Sequence, residues 1–121
     1  MKQILIILFM LSFLNKAFAT NEGSAYDYEF NGIDGNIIKL SDYKNKVIVV
    51  VNVASRCGYT PQYDGLQALW TEYEDKDLVV IGVPTNNFRQ EPGSNKEIKD
   101  FCETNFRITF PMPEKTNVIG K

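Results

Sequence analysis

Seven consecutive residues, Val47-Ile48-Val49-Val50-Val51-Asn52-Val53, are β-branched at every position but one. Such a run is stiff at χ1 and suits a pleated strand far better than a helix. It does not alternate with polar residues, so it reads as a central strand covered on both faces. Leu78-Val79-Val80-Ile81-Gly82-Val83 reads the same way. Between the two, Tyr63, Leu66, Leu69, Trp70 and Tyr73 recur at spacings of three and four, as one buried helix face requires. Thr60-Pro61 stands where that helix needs its N-cap and first residue. Strand, helix and strand in this order predict a βαβ unit with parallel strands and a right-handed crossover.

The flanking segments extend the pattern. Tyr26 to Phe30 and Ile37 to Leu40 read as short strands around a Gly-rich turn, with Asp34-Gly35 as the hairpin signal. After a polar loop from Pro84 to Gly93, Ser94-Asn95-Lys96-Glu97 forms a capping box that opens another helix. Its apolar face is Ile98, Phe101, Cys102 and Phe106, and Thr109-Phe110-Pro111-Met112-Pro113 closes the readable part. The order fits an α/β fold of thioredoxin type, a central mixed sheet flanked by helices.

The N-terminus follows different rules. Met1-Lys2 is a basic start, Ile4 to Leu14 is apolar apart from Ser12, and Ala17-Phe18-Ala19 supplies an A-x-A cleavage signal. Residues 1–19 are therefore expected to be a signal peptide, and the mature domain to run over 20–121. An uncleaved anchor is the alternative, but an apolar run of about eleven residues is short for a membrane span, so no stable insertion is expected after cleavage. Export to the periplasm or secretion follows. Losing Lys2 and Lys16 lowers the basic count from 13 to 11 against 15 acidic residues, a formal charge of −4. With no cluster of Lys and Arg, nucleic acid is a poor partner.

Both cysteines, Cys57 and Cys102, survive cleavage. Two cysteines in an exported chain are by default a disulfide. Their settings point elsewhere. Cys57 falls at the end of the first apolar strand and just before a helix start, where unpaired amides and the helix dipole favour a thiolate. The segment Cys57-Gly58-Tyr59-Thr60 lacks the second thiol of a Cys-x-x-Cys pair, so oxidation cannot close a disulfide within the turn. A lone thiolate suits attack on an electrophile such as a peroxide oxygen, with formation of a sulfenic acid. A buried strand-end cysteine without chemistry is the competing reading. The chain has no histidine, which removes every Cys–His mechanism and the common zinc arrangements. Arg56 is next in sequence but on the opposite side of an extended backbone, and no role is assigned to it.

Four stretches then carry a resemblance. Asn52-Val53-Ala54-Ser55-Arg56-Cys57-Gly58-Tyr59-Thr60 resembles the active-site segment of the glutathione peroxidases, and Gly82-Val83-Pro84-Thr85-Asn86-Asn87-Phe88 resembles their second signature. Arg89-Gln90-Glu91-Pro92-Gly93-Ser94-Asn95 and Phe110-Pro111-Met112 continue in the same order. The resemblance implies that Cys57 is the peroxidatic cysteine and that Gln90 donates its side-chain amide to the reactive sulfur. Without the motif, Gln90 reads as a solvated loop residue. It also implies that Cys102 is a resolving cysteine, which requires its helix to loosen; periodicity alone reads Cys102 as a core residue. Thr85 stands where some members carry a different cysteine.

The implied substrate is hydrogen peroxide or an organic hydroperoxide, with glutathione or a thioredoxin-like dithiol as co-substrate and no bound cofactor or metal. The family continues with a Trp-Asn-Phe segment that completes the site, whereas Trp70, the sole tryptophan, falls in the first helix and reads as a packing residue. The chain is expected to be C-terminally incomplete and therefore unstable or weakly active. A thioredoxin-like disulfide carrier or thiol sensor, or an inactive remnant, is the alternative to a peroxidase.

Overall fold

A computed structural model describes residues 23–120; the leader expected over 1–19 lies outside them. Four strands and two α-helices follow in the order β1 (Glu29–Asn31), β2 (Ile37–Lys39), β3 (Val47–Val53), α1 (Gln62–Tyr73), β4 (Leu78–Pro84) and α2 (Asn95–Phe106). The β3-α1-β4 unit is parallel, Val47 opposite Leu78 through Val53 opposite Pro84. β1 and β2 form an antiparallel hairpin in which Phe30 faces Ile38. The α/β architecture of thioredoxin type is thus present, its strands grouped among the described residues as one parallel pair and one hairpin.

β4 organises the core. Val79, Ile81 and Val83 point to one face and join Ile38 and Leu40 of the hairpin region. Val80 points to the other, among Val53, Tyr63, Ile98, Cys102, Ile108, Phe110 and Met112. The period-two alternation of a strand therefore feeds two apolar clusters from one element. Both helices pack on the second cluster, α1 through Tyr63, Leu66 and Leu69 and α2 through Ile98, Phe101, Cys102 and Phe106. Gly82 permits a close approach on this strand: a methyl group there would lie 2.6 Å from the Phe110 ring.

The hairpin is stitched to the chain's last segment rather than to β3 or β4. Ile33 N–H donates to the Met112 carbonyl at 2.8 Å and Glu114 N–H to the Asn31 carbonyl at 2.8 Å. Its turn needs the left-handed backbone of Gly35, φ 81°. That turn falls at the expected Asp34-Gly35 signal.

Three expectations are corrected. The first strand starts only at Glu29, because Ser24 caps a short 3₁₀ turn over Ala25–Asp27. β3 is not covered on both faces: Val47 is 62% and Val50 51% exposed, and β4 is the fully enclosed strand. A β-branched run reports strand conformation, and burial on each side depends on neighbours the run itself does not encode. Finally, α1 begins at Gln62 with Pro61 in the cap position and no side-chain cap. Thr60 is engaged in the turn before it.

The expectations for α2 hold. Ser94 accepts Glu97 N–H while the Glu97 carboxylate accepts Ser94 N–H, a complete capping box. The helix closes at Arg107 in the left-handed region, φ 51°. Among the described residues no helix is long and apolar enough to cross a membrane.

Candidate active site

Cys57 sits in a tight turn between β3 and α1, half-buried. Thr60 shapes that turn. Its hydroxyl accepts the Cys57 N–H at 3.0 Å and donates to the Ala54 carbonyl at 2.9 Å. The Cys57 carbonyl accepts Thr60 N–H at 3.0 Å. The result points the thiol at a backbone donor: Tyr59 N–H lies 3.4 Å from Sγ. The sulfur thus accepts from a main-chain amide within its own turn.

Cys57, Tyr59, Thr60 and Tyr63 line a small cavity of about 70 Å³ at the end of β3. Tyr59 is 74% exposed at its rim.

Gln90 is brought to this turn through its backbone. Its carbonyl accepts Arg56 N–H at 3.0 Å, which ties the loop after β4 to the residue preceding Cys57. The Gln90 side chain is half-buried and makes no hydrogen bond among the described residues. Arg89, just before it, adopts φ 58°, so the loop reverses sharply where Gln90 emerges. Arg56 thus has a structural part to play, through its N–H.

One group that sequence reading passed over is Glu91. It is 1% exposed, and its Oε2 accepts both Ser55 N–H at 2.6 Å and Ser55 Oγ–H at 2.9 Å. Burial pushes its pKa up; the two Ser55 donors, then the Lys115 and Arg56 cations, pull in the opposite direction without cancelling it. An acid followed by Pro92-Gly93 in a polar loop carries no one-dimensional sign of burial. Only the return of the loop onto Ser55 reveals it.

Cys102 lies elsewhere. It is fully buried on α2, in the cluster with Tyr63, Ile98 and Phe110. It also lines a cavity of about 390 Å³ bounded by Ile38, Tyr43, Lys99, Phe110 and Met112, which Cys57 does not reach. Burial pushes its thiol up to about 11. Tyr63 is itself raised, first by burial and then by Cys102, and its hydroxyl makes no hydrogen bond among the described residues. The two cysteines are free thiols on different elements. The structure ties the Gln90 backbone to Arg56, next in sequence to Cys57, and leaves Cys102 in the core. Trp70 also packs, against both clusters, and takes no part in the turn.

The fold is a thioredoxin-like α/β domain with a free, half-buried cysteine in the turn between strand and helix. The comparisons are more specific. Residues 25–121 match the glutathione peroxidase family, and the chain belongs to it. It is 47% identical over 103 residues to the hydroperoxy fatty acid reductase gpx1 of Synechocystis, covering 84% of this chain and 61% of that protein. It is 49% identical over 96 residues to the glutathione peroxidase-like peroxiredoxin gpx1 of Schizosaccharomyces pombe, covering 78% of this chain and 61% of that one. The chain therefore spans under two thirds of the length of these relatives. Among solved structures it superposes on Trypanosoma cruzi GPX1 with a TM-score of 0.59 at 32% identity, over 81% of this chain and 58% of that one. A thioredoxin-family thiol:disulfide interchange protein of Chlorobium tepidum, 15% identical with a TM-score of 0.62 over 74% of this chain and 57% of that one, shares the fold.

Proposed function

We propose that this chain carries the reactive-thiol half of a cysteine-type thiol peroxidase. The observation that carries the reading is the turn at Cys57, where Sγ faces Tyr59 N–H in a segment that matches the family. The Cys57 thiolate attacks the outer oxygen of a hydroperoxide, the O–O bond breaks, and the leaving alkoxide or hydroxide takes up a proton. The products are a Cys57 sulfenic acid and an alcohol or water. Gln90 is assigned the role of side-chain amide donor to the reacting sulfur and oxygen; its backbone bond to Arg56 N–H, beside Cys57, supports that assignment.

Cys102 then condenses with the sulfenic acid, forming a disulfide and releasing water. Its full burial makes that step depend on local opening of α2, since a disulfide needs α-carbons within about 7 Å. An external thiol pair, either glutathione or a thioredoxin-like protein, reduces the disulfide and is itself oxidised. Relatives named as peroxiredoxins and as a hydroperoxy fatty acid reductase favour a hydroperoxide substrate that includes organic ones. The N-terminal leader pattern supports export, with Thr20 as the first mature residue.

Reduced chain mixed with one equivalent of hydrogen peroxide tests the reading. Free thiols and intact mass are followed in wild type, Cys57→Ser and Cys102→Ser. The expected result is loss of two hydrogens that requires both cysteines, and a trapped sulfenic acid in Cys102→Ser. Oxidation of Cys57 no faster than that of free cysteine overturns it.

A further inference from the structure

We propose that Glu91 is a positioning residue: its buried carboxylate fixes Ser55 and thereby sets where the Cys57 turn stands against the Gln90 loop. This rests on the reading of Cys57 as the peroxide-reacting thiol. Three hydrogen bonds join the two segments side by side, Ser55 N–H and Oγ–H to Glu91 and Arg56 N–H to the Gln90 carbonyl. They lie two residues and one residue from Cys57 on one segment, and at Glu91 and Gln90 on the other.

Glu91 is anchored on its own side. Its N–H donates to Asn86 Oδ1 at 3.0 Å, and its carbonyl accepts from Lys115 Nζ at 3.4 Å. Lys115 also donates to the Gly93 carbonyl at 2.5 Å. The carboxylate therefore projects from a braced loop onto the cysteine turn. Arg56, Lys115 and Glu97 surround it at longer range, and no cation pairs with it within ion-pair distance among the described residues. A buried carboxylate satisfied only by neutral donors is costly compared with an apolar side chain of the same size. The fold already has two apolar clusters, so the acid's distinctive contribution is orientation.

Orientation matters because displacement of a reacting group by about 1 Å costs on the order of 10²-fold in rate. Iodoacetamide requires only an accessible thiolate, whereas peroxide also requires the groups that receive the leaving oxygen. The ratio of the two rates thus reads position rather than the mere presence of the thiol.

The experiment uses the full chain as wild type, Glu91→Ala, Glu91→Gln, Ser55→Ala and the Ser55→Ala/Glu91→Ala double variant. The rate of Cys57 oxidation by hydrogen peroxide is divided by its iodoacetamide rate. Glu91→Ala is expected to lower that ratio at least about tenfold. Glu91→Gln, which keeps an acceptor for Ser55 N–H, should retain most of it, and the double variant should be no worse than Glu91→Ala alone. An unchanged ratio, or equal loss in the Gln and Ala variants, overturns the proposal. Amide exchange supplies a readout that needs no peroxide chemistry. If wild-type Cys57 fails to react with peroxide, the functional reading fails while the clamp is still decided by Arg56 N–H. Faster exchange there in Glu91→Ala but not Glu91→Gln supports it, and identical exchange refutes it. Should Glu91→Ala not fold, Glu91→Gln and Ser55→Ala decide by the same two readouts.

Discussion

The Thr60 hydroxyl bonds the Cys57 N–H and the Ala54 carbonyl at once, so one side chain closes the turn that presents the reactive sulfur. Thr60→Val keeps the shape and removes both bonds. Leaving a part-buried donor and acceptor unpaired costs about 1–3 kcal/mol each when water cannot replace the partner. Urea unfolding should show a loss within that range, and single-turnover oxidation of Cys57 by peroxide should slow. Thr60→Ser, which retains the oxygen, should recover both. A valine variant as stable and as fast as wild type would rule out this role for the hydroxyl.

The state of Cys102 makes a pH prediction with a definite sign. Burial raises its thiol from an ordinary 9.0 to about 11. The folded chain therefore holds this proton more tightly than the unfolded chain does. Stability from this source is present below pH 9, and it declines as pH rises toward about 11. Tyr63, raised in the same direction, adds a decline at higher pH still. Denaturant midpoints measured from pH 8 to 11 should fall, and Cys102→Ala should flatten the part below pH 10. Native alkylation should label Cys57 well before Cys102, with added denaturant removing the difference. Equal labelling in the native state would mean that α2 is already open.

Gly82 tests the packing of β4. Its missing side chain is occupied by the Phe110 ring, 2.6 Å from where a β-carbon would stand. Gly82→Ala should destabilise by about 1–3 kcal/mol, the usual cost of overpacking a filled core. Phe110→Leu alone should also destabilise, and the double variant should be more stable than the two losses added together. Additivity would place the strain of Gly82→Ala somewhere other than Phe110.

Much of this architecture was legible because the deciding information is local. β-branched runs, helix spacing and the Ser94–Glu97 box each depend on a few adjacent residues, and β3, β4 and α2 formed where those patterns stood. The lone thiol at Cys57 was legible for the same reason. What stayed hidden depends on how distant segments return. Val50 reads as buried from its neighbours in sequence, yet it is exposed while Val49 and Val51 on the other face pack on the core. Thr60 reads as a helix cap, yet the Cys57 turn captures its oxygen first. Glu91 reads as a loop acid, and only the fold sets it over Ser55 across 36 positions of sequence.

Gln90 separates fold from chemistry most sharply. Its carbonyl holds Arg56 N–H, a bond that any residue supplies, while its amide side chain makes no hydrogen bond among the described residues. Gln90→Ala should therefore unfold within about 0.5 kcal/mol of wild type, as substitutions away from packed or bonded side chains do. If the amide meets the developing charge on oxygen, the peroxide rate should fall by roughly 10²-fold, the scale of losing one aligned donor. The iodoacetamide rate of Cys57 should stay near wild type, because that reaction needs no donor at the leaving oxygen. Gln90→Glu should be slower than Gln90→Ala at neutral pH, since a carboxylate beside the thiolate repels both the anion and the charge forming on oxygen. Loss of stability without loss of rate would instead make Gln90 a structural residue of the loop and leave Tyr59 N–H as the donor at the sulfur among the described residues.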